Sequence, residues 1–432
     1  LILEGEKQLS KFSANDKAVL RLAKRRYDKN SKLDSKFVSK FSELTSKSLN
    51  SWIEARKKSD FKIFEPCLKE LISMLKEKSE RVGYKKHPYD VLLDDFEESV
   101  TTNEVEVLLT GLRNELVPLS KSIQQKQSNW KLENIKFDLQ KNRQVNYADH
   151  ILQSIGYDFA RGRQDESVHP FTSRISYNDR RVTNRYSPDS LEFIFTALHE
   201  GGHALYEQGV SKDIADSFLD TDLSLMIHES QSRFYENIVG KSKSYWESEF
   251  TQLQKFFEPM LNSLDIDTFL KYIRKICPTQ IRVESDEVTY DLHIIIRFEI
   301  EKSLIEGSLK TSEVPELWNQ KYKDYLGIEI KKDSLGCLQD VHWSLGAFGY
   351  FPTYSLGNIA ASQIWNRYIQ QNPDFTFSSK NLNLIKTWLN QNIHMNGAIY
   401  PGKKLIKKLT GQDLNHDYYL DRLKQRYLQS KD

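Results

Sequence analysis

Residues Thr196 to Gly209 read TALHEGGHALYEQG. Coiled as a helix, this stretch sets His199 and His203 one turn apart on one face, where two imidazoles can hold one ion. Glu200 is rotated by about 100° from His199 and can reach a water on that ion. Chance alone yields such a spacing in roughly one to two chains per hundred, so the pattern does not decide the matter by itself. Gly201 and Gly202 pose a second question. Each weakens a helix interior by about 1 kcal/mol relative to alanine. They either let a neighbouring helix or a substrate backbone come close, or simply mark a weakened turn.

A catalytic zinc site of this type needs a third protein ligand and leaves a fourth position open. Asp222 to Gly240, DLSLMIHESQSRFYENIVG, has the apolar spacing of a following helix and carries Glu229, 26 residues beyond His203. His228 points about 100° away from Glu229 and is not read as a ligand. Glu236 shares the face of Glu229 and either supports a ligand from behind or is a solvated acid.

Upstream, Val168 to Tyr186 reads VHPFTSRISYNDRRVTNRY. Two short runs rich in Thr, Ile, Val, Tyr and Arg flank a turn-like cluster at Ser176-Tyr177-Asn178-Asp179, which predicts a β-hairpin. Ser187-Pro188-Asp189 then reads as the cap and first turn of the metal helix, expected over about 188–209. A strand ribbon beside that helix suits a peptide, which can bind as an added strand.

Helical periodicity dominates the rest. Phe37 to Lys57 carries apolar residues at 38, 41, 44, 49, 52 and 55. Similar patterns run over about 61–82, 104–125, 145–155, 222–239, 244–276, 288–307, 355–371 and 380–393. No repeat or low-complexity linker interrupts them. The expected organisation is one α-rich domain over 1–432, with an N-terminal helical part at 1–160, a metal and catalytic core at 161–360, and C-terminal helices at 361–432.

Composition narrows the function classes. The net charge of +2 and the absence of long single-sign blocks give no push toward nucleic acid. No run approaches the length of a membrane span. Cys67, Cys277 and Cys337 are odd in number and lack CxxC spacing, which reads as reduced thiols in a cytoplasmic protein. The start, LILEGEKQLS, shows no secretory signal.

The chemistry implied is metal-assisted hydrolysis. Zinc would acidify a water and polarise a carbonyl, while Glu200 would act as general base and then pass the proton to the leaving amine.

Six motifs, read in chain order, give the sequence a family. They are His169-Pro170-Phe171 (HPF), Asp179-Arg180-Arg181-Val182-Thr183 (DxRxT), His199 to His203 (HExxH) and His228-Glu229-Ser230-Gln231. The last two are Ile281 to Asp286 (IRxxAD, with Ser285 in place of alanine) and Gly336 to Trp343 (GxxQDxHW). With them, and with weaker similarity from Ser59 to Trp388 and beyond, the chain resembles the M32 family of metallocarboxypeptidases, the carboxypeptidase Taq type. The resemblance implies a mainly α, zincin-like body with a small sheet or hairpin beside the metal helix and a deep active-site groove. It implies a homodimer, zinc or cobalt as cofactor, and removal of single residues from peptides with a free C-terminus. Family members usually carry several dozen more residues ahead of this start, expected to be helices that help cover the groove.

An exopeptidase must recognise a carboxylate, and the arginine fork suits that task. Arg282 and Arg181 are the candidates. The alternative for Arg282 is an ion pair with Asp286, Glu287 or Asp291, and for Arg181 a pair with Asp179. His342, Tyr350 and Tyr354 are candidate substrate or oxyanion donors within QDVHWSLGAFGYFPTYSLG. His169 either touches substrate or serves a structural turn before Pro170. His293 reads as a core histidine. Two rival functions share these residues: a zinc endopeptidase or dipeptidase, and an inactive peptide-binding scaffold.

Overall fold

The computed structural model describes residues 2–132, 135–378 and 380–429. The chain divides into two compact units that interleave in sequence. One is built mainly from Leu20–Gln125 and Ile276–Ser355, the other mainly from Lys126–Lys275 and the segment from Leu356 onward. Sequential boundaries at 160 and 360 therefore do not coincide with either unit.

The first unit contains a helical hairpin. Ser35–Lys58 is capped by Asp34, whose side chain accepts from the Phe37 amide, and it ends at Ser59 in the left-handed region. Asp60 then caps Phe61–Val82 through the Lys62 amide. These caps satisfy amide groups that a helix end leaves unpaired. The buried stripe of the first helix is Phe37, Leu44, Ser48, Trp52 and Ala55. Val38, expected on that stripe, is 53% exposed. A later helix, Tyr290–Glu306, is buried nearly all round, including Asp291, His293, Arg297 and Glu301. Buried charges are tolerated only when paired or hydrogen-bonded, and those partners organise one of the two clusters described below.

The second unit holds the three-stranded sheet, in the order β1-β3-β2. β2 (Thr172–Ser176) and β3 (Asp179–Asn184) form the expected antiparallel hairpin. β1 (Gln164–Glu166) adds in parallel beside β3. Its sequence, Gln-Asp-Glu, carries no β signal, so periodicity had no means of finding it.

The metal helix runs over Glu192–Gln208. The expected start at Ser187-Pro188-Asp189 is corrected: the Ser187 hydroxyl bonds Asp189 instead of a helix amide. The Pro188 carbonyl accepts from the Leu139 amide at 2.8 Å, while Ser190 takes the Glu192 amide at 3.1 Å. The segment expected at 222–239 is an α-helix over Leu225–Arg233, capped by Ser224, that continues as a π-helix over Phe234–Val239. The long helix expected over 244–276 is two helices, Lys243–Phe256 and Ile266–Ile273, separated at Glu258–Pro259. Proline removes an amide donor and clashes with the preceding turn.

The paired glycines now have a physical reason. A Cβ on Gly202 would lie 2.4 Å from the Gln231 carbonyl oxygen and 2.7 Å from the Ser232 Cα, both backbone atoms of the Glu229 helix. A Cβ on Gly201 would meet Ile155 Cδ1 at 2.6 Å and Leu152 Cδ2 at 2.8 Å, on the helix Lys141–Ile155. The metal helix is therefore pinched between two neighbours.

Candidate metal centre and its surroundings

His199, His203 and Glu229 gather so that one ligand atom from each lies within 4.8 Å of the others. Glu229 Oε2 is 3.5 Å from His203 Nε2 and 4.0 Å from His199 Nε2. Glu229 is buried and held from three sides. Arg233 Nε donates to Oε1 at 2.6 Å and the Ser232 hydroxyl donates to Oε2 at 3.2 Å. A Cβ on Gly357 would meet Glu229 Cγ at 2.6 Å, so the carboxylate stem has little room to swing.

The two histidines are oriented from behind. Glu236 Oε2 lies 2.7 Å from His199 Nδ1 and also accepts from Arg233 Nη1 at 3.1 Å. Arg233 thus bridges Glu229 and Glu236, and Glu236 faces His199 instead of standing as a solvated acid. His203 Nδ1 lies 2.5 Å from His228 Nδ1. With both Nδ1 atoms engaged, both Nε2 atoms are left to face a metal, and two imidazole nitrogens with one carboxylate oxygen are a donor set that suits zinc.

Burial and charge tune the cluster. Burial alone would lower the His199 pKa, but the Glu236 hydrogen bond and charge outweigh it, leaving it raised. His203 is pushed well below the ordinary imidazole range, first by burial and then by His228 and His199. Glu236, against the effect of burial, is drawn down to about 2 by Arg233 and His199. Glu200 is raised, chiefly by burial. Its Oε2 lies 2.7 Å from the Thr172 hydroxyl, which also sits 3.0 Å from the Glu200 carbonyl. That hydroxyl can donate to the carboxylate, or to the carbonyl when the carboxyl is protonated.

Thr172, Arg233 and Glu207 are the site residues that sequence reasoning missed. Arg233 stands four residues after Glu229, and Glu207 four after His203. The same helical spacing that linked the two histidines could have found both. Thr172 is brought in by strand packing, which leaves no local trace.

Two other candidates lie on or beside the sheet. His169 is exposed on the connection between β1 and β2. Arg181 pairs with Asp179 on its own strand, Nη2 to Oδ2 at 2.6 Å.

The remaining candidates belong to the first unit and form a second cluster. Arg282 is 6% exposed. Its partner is none of the three acids expected from sequence but Asp340, with Nη2 to Oδ1 at 2.8 Å. Asp286 is instead occupied with the amides of Val288 and Thr289. The Arg282 Nη1 donates to the Tyr290 hydroxyl at 2.9 Å, and the guanidinium lies over the rings of Phe351 and Tyr354. Arg297 takes the other Asp340 oxygen at 2.5 Å. Although burial opposes ionisation, the two arginines hold Asp340 far below the usual carboxylate range. His342 packs its ring against Tyr350, Phe351 and Tyr354, and burial draws its pKa down to about 4. His293 is a core residue as expected: it bonds the Ser285 hydroxyl at 2.7 Å and the Tyr322 hydroxyl at 2.8 Å.

Glu301 positions the chain around these groups. It accepts from Tyr89 at 2.5 Å, from the Trp343 indole at 2.7 Å and from the Gly349 amide at 2.8 Å. Burial pushes its pKa up to about 7.

Residues 2–427 match the family described as Carboxypeptidase Taq (M32) metallopeptidase. The chain is 39% identical over 419 residues to Carboxypeptidase 1 of Bacillus subtilis, covering 96% of this chain and 84% of that protein. The solved structure of Pyrococcus furiosus carboxypeptidase superposes with a TM-score of 0.94 at 35% identity, covering 98% of this chain and 86% of that one. Metallocarboxypeptidase 1 of Trypanosoma cruzi gives a TM-score of 0.94 at 33% identity, over 99% of this chain and 87% of that one.

Proposed function

The chain belongs to the M32 family of metallocarboxypeptidases, and from that premise we propose that it removes single residues from peptide C-termini with zinc held by His199, His203 and Glu229. The observation that carries this reading is the convergence of those three side chains with Glu200 beside them. Bound there, zinc would polarise the scissile carbonyl and acidify a water.

The protein groups do the rest. Arg233 and Ser232 hold Glu229 in place, while Glu236 and His228 fix the two imidazoles. Thr172 anchors Glu200 Oε2, and Glu200 takes a proton from the attacking water and returns it to the departing amine. A raised pKa suits a group that must both accept and release a proton near neutrality. β2 is an edge strand of the sheet, so an extended peptide can pair along it next to Thr172.

For the substrate carboxylate, Arg282 is the better candidate. Asp340 and Tyr290 hold its guanidinium rigidly while leaving two of its five N–H groups to other acceptors. Arg181 is already closed on Asp179. His342, Tyr350 and Tyr354 line the same cluster as Arg282 and are assigned to substrate or oxyanion contacts; His169 is assigned to the approach of the peptide.

All three cysteines are free, which supports a reducing, cytoplasmic setting. Among the described residues no helix is long and apolar enough to cross a membrane. The family resemblance supports a homodimer, which light scattering on the purified chain would test.

The decisive experiment compares a free-acid peptide with its C-terminal amide after chelation and zinc add-back, read by mass spectrometry. A one-residue ladder from the acid alone is expected. Equal cleavage of both, or internal cleavage, would favour an endopeptidase instead, and no cleavage of either would favour a binding scaffold.

A further inference from the structure

The two metal histidines are supported differently. His199 meets a carboxylate directly, Glu236 at 2.7 Å. His203 meets a second imidazole, His228, Nδ1 to Nδ1 at 2.5 Å. The other His228 nitrogen, Nε2, lies 3.1 Å from Glu207 Oε1. Glu207 Oε2 in turn faces Arg180 Nε at 3.5 Å, and the fully buried Arg180 is tied to Asp220 by Nη2 to Oδ1 at 2.9 Å. Arg180 belongs to β3. A line of polar contacts therefore leads from the sheet to one metal ligand.

Hydrogen-bond chemistry gives that line a direction. A carboxylate only accepts, so Glu207 calls for the proton of His228 on Nε2. His228 Nδ1 is then an acceptor, and His203 must carry its own proton on Nδ1. That leaves the His203 Nε2 lone pair on the side of Glu229. Both nitrogens of His228 are spent in this arrangement, which is why it is no ligand despite adjoining Glu229 in sequence.

We propose that His228 and Glu207 are positioning residues for the metal: together they hold His203 in the Nε2-ligating tautomer, with Arg180 standing beside Glu207. The proposal rests on the reading of His199, His203 and Glu229 as zinc ligands.

The test measures zinc affinity of the full-length apoprotein by competition with a chelating indicator, alongside the thermal melt of each apo variant. His228→Phe keeps the ring shape and removes the acceptor; zinc affinity should fall by about 10–100-fold, the usual effect of losing an outer-shell partner. His228→Asn places an amide oxygen where Nδ1 stood and should recover most of that loss. Glu207→Gln keeps a weaker acceptor for His228 and should fall between the two. The visible bands of the cobalt form should shift in H228F and return toward wild type in H228N.

Wild-type affinity in H228F, or equal weakness in H228F and H228N, would overturn the relay. Should H228F fail to melt cooperatively, E207Q decides: unchanged zinc affinity overturns the proposal and a fall supports it. His203→Ala separates the two readings. If H203A loses zinc while H228F keeps it, only the relay fails. If H203A itself keeps full zinc affinity, the ligand assignment fails and the relay with it.

Discussion

The metal cluster and the Arg282–Asp340 cluster are both buried, charged and densely hydrogen-bonded, yet they are built in opposite ways. In the first, part of the framework is local, since His199 with His203, Glu229 with Arg233, and Arg233 with Glu236 are one helical turn apart, and His199–Glu236 and His203–His228 then join the two helices. In the second, Asp340 reaches arginines 58 and 43 residues away in sequence. The first cluster is a set of helix faces; the second is a knot between distant segments. The pairs within each helix of the candidate metal cluster follow from short-range spacing, while the framework of the arginine site depends on the completed fold.

The largest expected effect tests the chemistry without disturbing the framework. Glu200→Gln should lower kcat by about 10²–10⁴-fold while zinc stoichiometry and the apo melt stay at wild-type values. Near-normal turnover would remove Glu200 as the base.

Asp340→Asn should do the reverse. It leaves Arg282 and Arg297 buried without a countercharge, and breaking such a pair destabilises by about 3–5 kcal/mol. Chemical denaturation should show the loss, with zinc affinity preserved. An unchanged denaturation midpoint would mean that the knot does not hold the fold.

Glu301 supplies a pH signature for the framework. Its folded pKa of about 7 exceeds the ordinary value of 4.5, so the native state keeps the proton that the unfolded chain releases. The contribution is fully present below pH 4.5 and is lost as pH rises from 4.5 to about 7. It amounts to about 3 kcal/mol at 1.36 kcal/mol per pKa unit. Glu301→Gln should flatten that slope in urea midpoints collected across the interval. A slope unaltered by E301Q would place the titration elsewhere.

The glycine pair divides the metal cluster more finely. Gly202→Ala drives a methyl into backbone and should destabilise by about 1–3 kcal/mol, with weaker zinc binding. Gly201→Ala presses only on the ends of Ile155 and Leu152, and alanine's helix preference offsets about 1 kcal/mol of any strain. Equal melts for the two variants would show that backbone contact is not what Gly202 protects. The smallest effect is expected from Ser285→Ala. It takes one hydrogen-bond partner from His293, worth about 1 kcal/mol.

Much of the candidate metal site was legible in the sequence because helical spacing is a local code. His199, His203, Glu229 and Glu200 required only that two segments be helical and adjacent. The β2–β3 hairpin was legible for the same reason. What escaped was tertiary. β1 has no propensity signal and exists because β3 offers it an edge. Ser187-Pro188-Asp189 carries every mark of a helix start, but its groups are taken by each other and by Leu139. Asp340 could not be matched to Arg282 in advance, because three nearer acids competed on paper and none does in space.

Gly202 lies between His199 and His203 in sequence, and its contact falls on Gln231 and Ser232, just past Glu229. Main chain rests on main chain there. The gap that the three donors span is therefore gauged by two abutting peptide backbones, like the jaws of a calliper closed against a stop. Side chains can swing about that contact, but the two helices cannot close further at Gly202 without their main chains colliding.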